Sequence, residues 1–168
     1  MAISLADILD EKNVVLDLRA RTQAEALREI IEVMKSNASI ADPEKFFEQV
    51  MKRERESSTV MEHAVAFAHA RTDLVQQIVL GFGRSRVGIP FPRTSPGPLA
   101  SSVKEAPPDM VRLIFAIAVP RQLINDYLVC VGALARVVKE EANRAALLAA
   151  ETAAEIIEQL RAGSLLVE

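Results

Sequence analysis

Two histidines, one cysteine and a handful of arginines carry most of the reactive chemistry in this 168-residue sequence. His63 and His69 bracket the apolar run Ala64-Val65-Ala66-Phe67-Ala68. An extended run of that length separates them by roughly 20 Å, so they cannot share a metal ion on a straight strand. No further histidine or cysteine cluster completes a metal site, and neither a metal nor a cofactor is expected. Cys130 falls in the apolar pattern of its predicted helix and reads as a small buried hydrophobe.

His69 stands where the apolar run gives way to Ala70-Arg71-Thr72-Asp73, which reads as a polar turn. Strand ends are where rigid scaffolds present reactive groups, though the same position also suits a surface or capping histidine. Arg53, Arg55 and Arg71 are candidates to supply the cations that a phosphorylated imidazole would need. Glu54 and Glu56 alternate with the first two, the pattern of a solvated helix end. Gly81-Phe82-Gly83-Arg84-Ser85-Arg86-Val87-Gly88 lacks the dinucleotide glycine spacing, no Gly-Lys-Ser/Thr element is present, and a strand-to-turn role for its glycines is expected. Ser57, Ser58 and Thr59 have no histidine–acid set beside them in sequence, which argues against hydrolase chemistry.

The elements that must position these residues can be read from periodicity and capping. Ser4 can cap an opening turn through Leu5, Ile8 and Leu9, and Val14 to Leu18 has strand composition. Thr22-Gln23-Ala24-Glu25 is a capping box ahead of Leu27, Ile30, Ile31 and Met34 at helical spacing. Asp42-Pro43 opens a second helix with Phe46, Phe47, Val50 and Met51 on one side. Ala64 to Ala68, Gln77 to Phe82 and Met110 to Val119 read as strands. The segment Arg84 to Asp109 holds six of the eight prolines and reads as a long loop. After Pro120 come a helix bearing Leu123, Tyr127, Leu128, Val131, Leu134 and Val138, then an alanine-rich tail. There Thr152-Ala153-Ala154-Glu155 forms a second capping box and Gly163 is expected to end the last helix. A single sheet with helices on its faces accounts for this order.

Composition narrows the possibilities. Half the residues are apolar and 26% are charged, as in a globular domain of sufficient size to bury a core without staples. Aromatics are only 4%, so the core must be aliphatic and alanine-rich. A net charge of −3 argues against a nucleic-acid binder. The longest apolar run, Leu113 to Val119, is far short of the ~20 residues a membrane helix needs, and the first residues lack a basic leader, so a cytoplasmic protein is expected without membrane insertion.

Arg53-Glu54-Arg55-Glu56-Ser57-Ser58-Thr59, followed by Val65-Ala66-Phe67-Ala68-His69-Ala70-Arg71, resembles the active-site stretch of the type-2 EIIA proteins. These are the fructose/mannitol-type and nitrogen-regulatory EIIA phosphocarriers of the bacterial phosphoenolpyruvate-dependent phosphotransferase system. Leu80 to Ser85 and Leu113 to Pro120 resemble the strands that follow in that family. The resemblance implies a three-layer α/β/α fold with a mixed β-sheet, in the order β-α-α-β-β-β-α-α-(α). It spans 1–168 as one domain, with a Pro-rich loop at about 84–109. It also implies that His69 is the phosphorylated histidine and Arg53 a phosphoryl-holding arginine, with Tyr127, Ser57, Ser58 and Arg71 as auxiliary donors.

The implied partners are an HPr-like phosphocarrier and an EIIB-type domain. The alternative is a regulatory EIIA-like domain that transfers no phosphate and binds a transporter, kinase or other regulator. Tyr127 stands where the family usually has a second histidine, Ala68 replaces a proline before the active histidine, and Val60, Glu62 and Ala64 fall where the family tends to have glycines. Tyrosine there can donate a hydrogen bond but brings no positive charge at neutral pH.

Overall fold

The computed structural model describes residues 8–35, 40–56, 59–61, 63–92 and 109–165. The predicted Ser4 cap lies outside them. A short 3-10 turn, Glu11–Asn13, leads into strand β1 (Val14–Val15). Helices α1 (Gln23–Lys35) and α2 (Pro43–Glu56) follow, then strands β2 (Val60–Met61), β3 (Val65–Thr72), β4 (Val79–Phe91) and β5 (Asp109–Pro120). Helices α3 (Ile124–Lys139), α4 (Glu141–Ala149) and α5 (Ala153–Leu165) complete the order.

The predicted caps are formed. Glu25 N–H donates to Thr22 Oγ1 at 3.2 Å, Lys45 N–H to Asp42 Oδ1 at 3.1 Å, and Glu155 N–H to Thr152 Oγ1 at 3.2 Å. Each satisfies one of the amides that a helix start leaves without an intrahelical partner. Gly163 does not stop α5, which runs on to Leu165. A glycine costs a helix only ~1 kcal/mol relative to alanine, too little by itself to end one.

The sheet order is β1-β4-β5-β3-β2. β1 runs parallel to β4 and β3 parallel to β5, whereas β4–β5 and β2–β3 are antiparallel. The sheet is therefore mixed, as expected. β5 lies at its centre with both faces covered, which explains its unbroken apolar sequence from Leu113 to Val119. Its odd-numbered residues, with Val65, Phe67, Leu80 and Phe82, pack against α3 and α5. Its even-numbered residues, with Ala66, Ala68 and Ala70, pack against α1 and α2. Helices thus cover both faces, and three phenylalanines meet on the α3/α5 side. Phe115 meets Phe67 at 5.6 Å and Phe82 at 5.0 Å between ring centroids.

The opposite face is built from small residues because α1 comes close. A Cβ on Gly81 would lie 2.6 Å from Met34 Sδ, and one on Gly83 would lie 2.7 Å from Ile30 Cδ1. These glycines therefore permit helix–sheet contact within β4 and do not mark a strand-to-turn junction as expected from sequence.

Three predicted boundaries are corrected. β1 pairs with β4 only through Val14 and Val15, though Leu18 N–H still reaches Arg84 O at 2.8 Å. β4 continues through Arg84 to Phe91, so the predicted loop at 84–109 begins later. Ile89, Pro90 and Phe91 pair with Val111, Met110 and Asp109 after an irregularity between Arg84 and Ile89. Pro90 is tolerated because β1 no longer pairs with β4 there, so no ladder bond is needed on that side. Residues 93–108, the rest of that segment, lie outside the described residues. The third correction concerns β3, which does not end before His69 but extends to Thr72, because Ala70, Arg71 and Thr72 pair with Ala118, Val119 and Pro120 of β5.

Candidate functional site

Alternation along β3 puts Val65, Phe67, His69 and Arg71 on one face and Ala66, Ala68, Ala70 and Thr72 on the other. The first two of the odd set enter the core beneath α3. His69 is half-buried, and Arg71 is exposed. The polar composition that reads as a turn is thus the outward continuation of one strand face. β2 pairs only with Val65 and Ala66, so among the described residues β3 has no strand partner on that side from Phe67 onward, although Phe67 N–H still donates to Thr59 O at 3.1 Å. At that open edge, the end of α2 approaches from one helical layer and the start of α3 from the other.

These elements enclose a cleft of about 780 Å³. Lys52 and Arg53 from α2, Arg71 from β3 and Arg121 from the residue after β5 line it, against the single carboxylate of Glu56. Arg121 is held by an exposed ion pair, Nε to Asp73 Oδ1, at 3.2 Å. The cleft is strongly cationic although the chain as a whole is acidic.

His69 sits in this cleft with both ring nitrogens engaged. Nδ1 lies 3.0 Å from the Phe67 carbonyl oxygen, which can only accept. The neutral ring therefore carries its proton on Nδ1 and its lone pair on Nε2. The Tyr127 hydroxyl lies 3.2 Å from Nε2 and donates to that lone pair, with the two rings tilted at 38° and 5.0 Å apart. Burial holds the His69 pKa below the ordinary imidazole value, and the neighbouring Arg53 and Arg71 charges push the same way against the Phe67 carbonyl. Burial raises the Tyr127 pKa in turn, keeping the phenol protonated as a donor. Cys130, one turn further along α3, is buried in the core, and its thiol is pushed up to about 12.

Of the residues singled out from sequence, the fold brings His69, Arg53, Arg71 and Tyr127 together. Ser57 and Ser58 lie outside the described residues. His63 is exposed on the turn between β2 and β3, away from the cleft lining. Sequence reading missed Arg121 and Lys52. Parallel pairing of β3 with β5 places the first residue after Pro120 beside the outer end of β3, a relation invisible without knowledge of strand order. It also missed the anchor beneath Arg53. The adjacent Glu54 is buried, accepts from the Thr59 hydroxyl, and accepts from Gln23 Nε2 at 3.0 Å. Burial raises its carboxyl pKa. This network fixes the end of α2 to α1 and to the chain entering β2.

The approach to β3 is unusual in its backbone. His63 and Ala64 both have positive φ, 67° and 65°, a region that side chains with a Cβ seldom occupy. The Ala64 carbonyl is held in place by Arg112 N–H at 2.8 Å and Leu113 N–H at 3.2 Å. Ala64 is one of the positions where the sequence resemblance leads to an expectation of glycine, and its backbone takes a glycine-type geometry.

A fixed-tautomer imidazole among guanidinium groups thus sits at the open edge of a mixed sheet, between two helical layers. Residues 7–163 match the family described as phosphoenolpyruvate-dependent sugar phosphotransferase system, EIIA 2, and the chain belongs to that family. It is 24% identical over 156 residues to the fructose-specific EIIABC component of the Bacillus subtilis (strain 168) PTS system. The match covers 93% of this chain and 23% of that protein, so the chain spans less than a quarter of that relative's length. The fold is shared with nitrogen regulatory protein IIA-Ntr from Neisseria meningitidis (TM-score 0.78, 24% identity, 93% of this chain and 98% of that one). It is also shared with enzyme IIA-mannitol from Escherichia coli, in its complex with phosphorylated enzyme IIB-mannitol (TM-score 0.69, 20% identity, 89% and 94%). Among the described residues, no helix is long and apolar enough to cross a membrane.

Proposed function

We propose that this EIIA domain is a phosphocarrier whose acceptor is Nε2 of His69. The observation that carries the reading is the tautomer: the Phe67 carbonyl fixes the proton on Nδ1 and leaves the nucleophilic lone pair on the other nitrogen, within a cationic cleft. The donor is a phosphohistidine on an HPr-like protein. The Nε2 lone pair attacks phosphorus as the donor's P–N bond breaks, and its electron pair returns to the donor nitrogen. Each ring keeps its proton on the nitrogen that does not react, so no proton need move. Arg53 and Arg71 stabilise the charge spread over the phosphoryl oxygens, and catalysis is mainly positioning and electrostatics. The phosphoryl group then passes to an EIIB-type domain, the kind of partner found in the Escherichia coli complex.

The test is incubation with phosphoenolpyruvate, Enzyme I and a cognate HPr, followed by intact mass under non-acidic conditions. One added phosphoryl group is expected, absent in His69→Ala and acquired ~100-fold more slowly in Arg53→Ala, the usual effect of removing one charge-stabilising donor. A folded protein that takes no label from a cognate donor would overturn the carrier reading. That result would favour a regulatory domain acting through the same face.

A further inference from the structure

The Tyr127 hydroxyl stands where an incoming phosphorus atom must arrive. At 3.2 Å from Nε2 it is hydrogen-bonded to the lone pair that makes the attack, and a near-attack phosphorus requires about the same distance on the same side of the ring. Both cannot be accommodated. We infer that Tyr127 is a removable cap on the acceptor nitrogen: its hydroxyl occupies the Nε2 lone pair in the unphosphorylated chain, swings aside for transfer, and then donates to a phosphoryl oxygen. The inference rests on the phosphocarrier reading for its kinetic consequences, while the cap itself can be tested without any phosphoryl donor.

The surroundings support a movable cap. Tyr127 lies in the first turn of α3, whose N-cap, Leu123, makes no side-chain capping bond. That turn is held by backbone bonds, Leu123 N–H to Pro120 O and Tyr127 N–H to Leu123 O, each 3.0 Å. Tyr127 is only half-buried, and the cleft into which its hydroxyl points is larger than a phosphoryl group requires. Throughout the exchange the phenol keeps its proton, and only the acceptor of its hydrogen bond changes from Nε2 to a phosphoryl oxygen. The charged groups facing the pair are Arg53 and Lys52 from α2, Arg71 from β3 and Arg121 after β5, with Glu56 opposing them. Of the two residues in the pair, His69 and not Tyr127 should therefore set the pH dependence of transfer.

Tyr127→Phe removes the oxygen and keeps the ring. In the unphosphorylated protein, ¹⁵N imidazole spectra are expected to show the Nε2 resonance displaced. The His69 titration midpoint should move upward, because a donor to the neutral form has been lost. With a cognate phosphohistidine donor, the initial labelling rate should rise ~2- to 10-fold, the equivalent of one net hydrogen bond, and phospho-His69 should hydrolyse faster by a similar factor. Tyr127→His should add a second ionisation to the labelling profile. An unchanged Nε2 resonance and midpoint in Tyr127→Phe would overturn the cap, whether or not the protein accepts phosphate. A labelling rate in Tyr127→Phe that falls or stays the same would overturn it as well. Failure of the wild-type protein to label would instead sink the carrier reading and leave the spectra to decide the cap.

Discussion

The chemistry of His69 follows from which atoms touch its ring. A carbonyl oxygen at Nδ1 fixes the tautomer, a phenol at Nε2 marks the free lone pair, and burial with two nearby guanidinium groups disfavours the imidazolium. His69 should therefore titrate with a midpoint below the ordinary ~6.5 and be neutral at pH 7. Between the folded and unfolded midpoints the unfolded chain binds more protons, so this residue's contribution to stability is complete above about pH 6.5. It is lost as pH falls toward the folded midpoint. An NMR titration of the imidazole checks the direction, and a midpoint at or above that of an unstructured peptide would refute it. The residue types were legible from sequence: histidine beside arginines suggested phosphoryl chemistry. Which nitrogen keeps the lone pair, and that Tyr127 sits on it, were not, because both depend on a carbonyl two residues back and a helix 58 residues on.

At the scale of elements, the short approach to β3 holds two residues with a Cβ in a backbone conformation that favours glycine. Ala64 is held at φ 65° by two amides of the β5 segment, and His63 beside it at φ 67°. A non-glycine residue in that region costs on the order of 1–3 kcal/mol, partly offset in a glycine variant by the greater entropy of its unfolded chain. Ala64→Gly is therefore expected to stabilise the protein by ~1 kcal/mol, a rise in Tm of roughly 2–4 °C for a chain of this size. Thermal unfolding measures it, and a lower Tm would mean that the left-handed geometry is not strained. Helix starts were readable in advance because a cap and its first turn are neighbours in sequence. Strand ends were not. β3 and β4 both run beyond their apolar cores, since their continuation depends on pairing with β5, and alternation disguises the exposed half of each as loop.

At the scale of the whole molecule, Arg84 ties the helical layers to the sheet. It projects from β4, has no exposed side-chain surface, and donates from Nη1 to the carbonyls of Leu147 (3.0 Å), Leu148 (3.2 Å) and Ala150 (2.6 Å). From Nη2 it reaches Asp17 Oδ1 at 3.3 Å. The carbonyls at the C-terminal end of α4 are thereby satisfied by a cation, which the helix dipole also favours. Arg84→Met keeps much of the stem but strands those acceptors in the interior. It should cost ~3 kcal/mol or more, read as a lower urea midpoint at an unchanged slope. A loss within experimental error would mean that the carbonyls find other donors. Arg84 looked unremarkable in a glycine- and arginine-rich stretch, because its partners lie more than 60 residues away.

The sequence alone pointed to the main helices, the buried central strand, the family resemblance and His69 as the candidate histidine. Each of these rests on local signals: caps, periodicity, an unbroken apolar run and a short motif. Only the tertiary structure decided that His69 lies within β3, that Arg121 and Lys52 join Arg53 and Arg71 around it, and that the Tyr127 hydroxyl covers its Nε2. The reason is topological. A parallel β3–β5 pair sets the outer end of one strand beside that of another, and helices from two opposite layers close on the same open edge. Contacts made across layers leave no periodic trace in the chain that makes them.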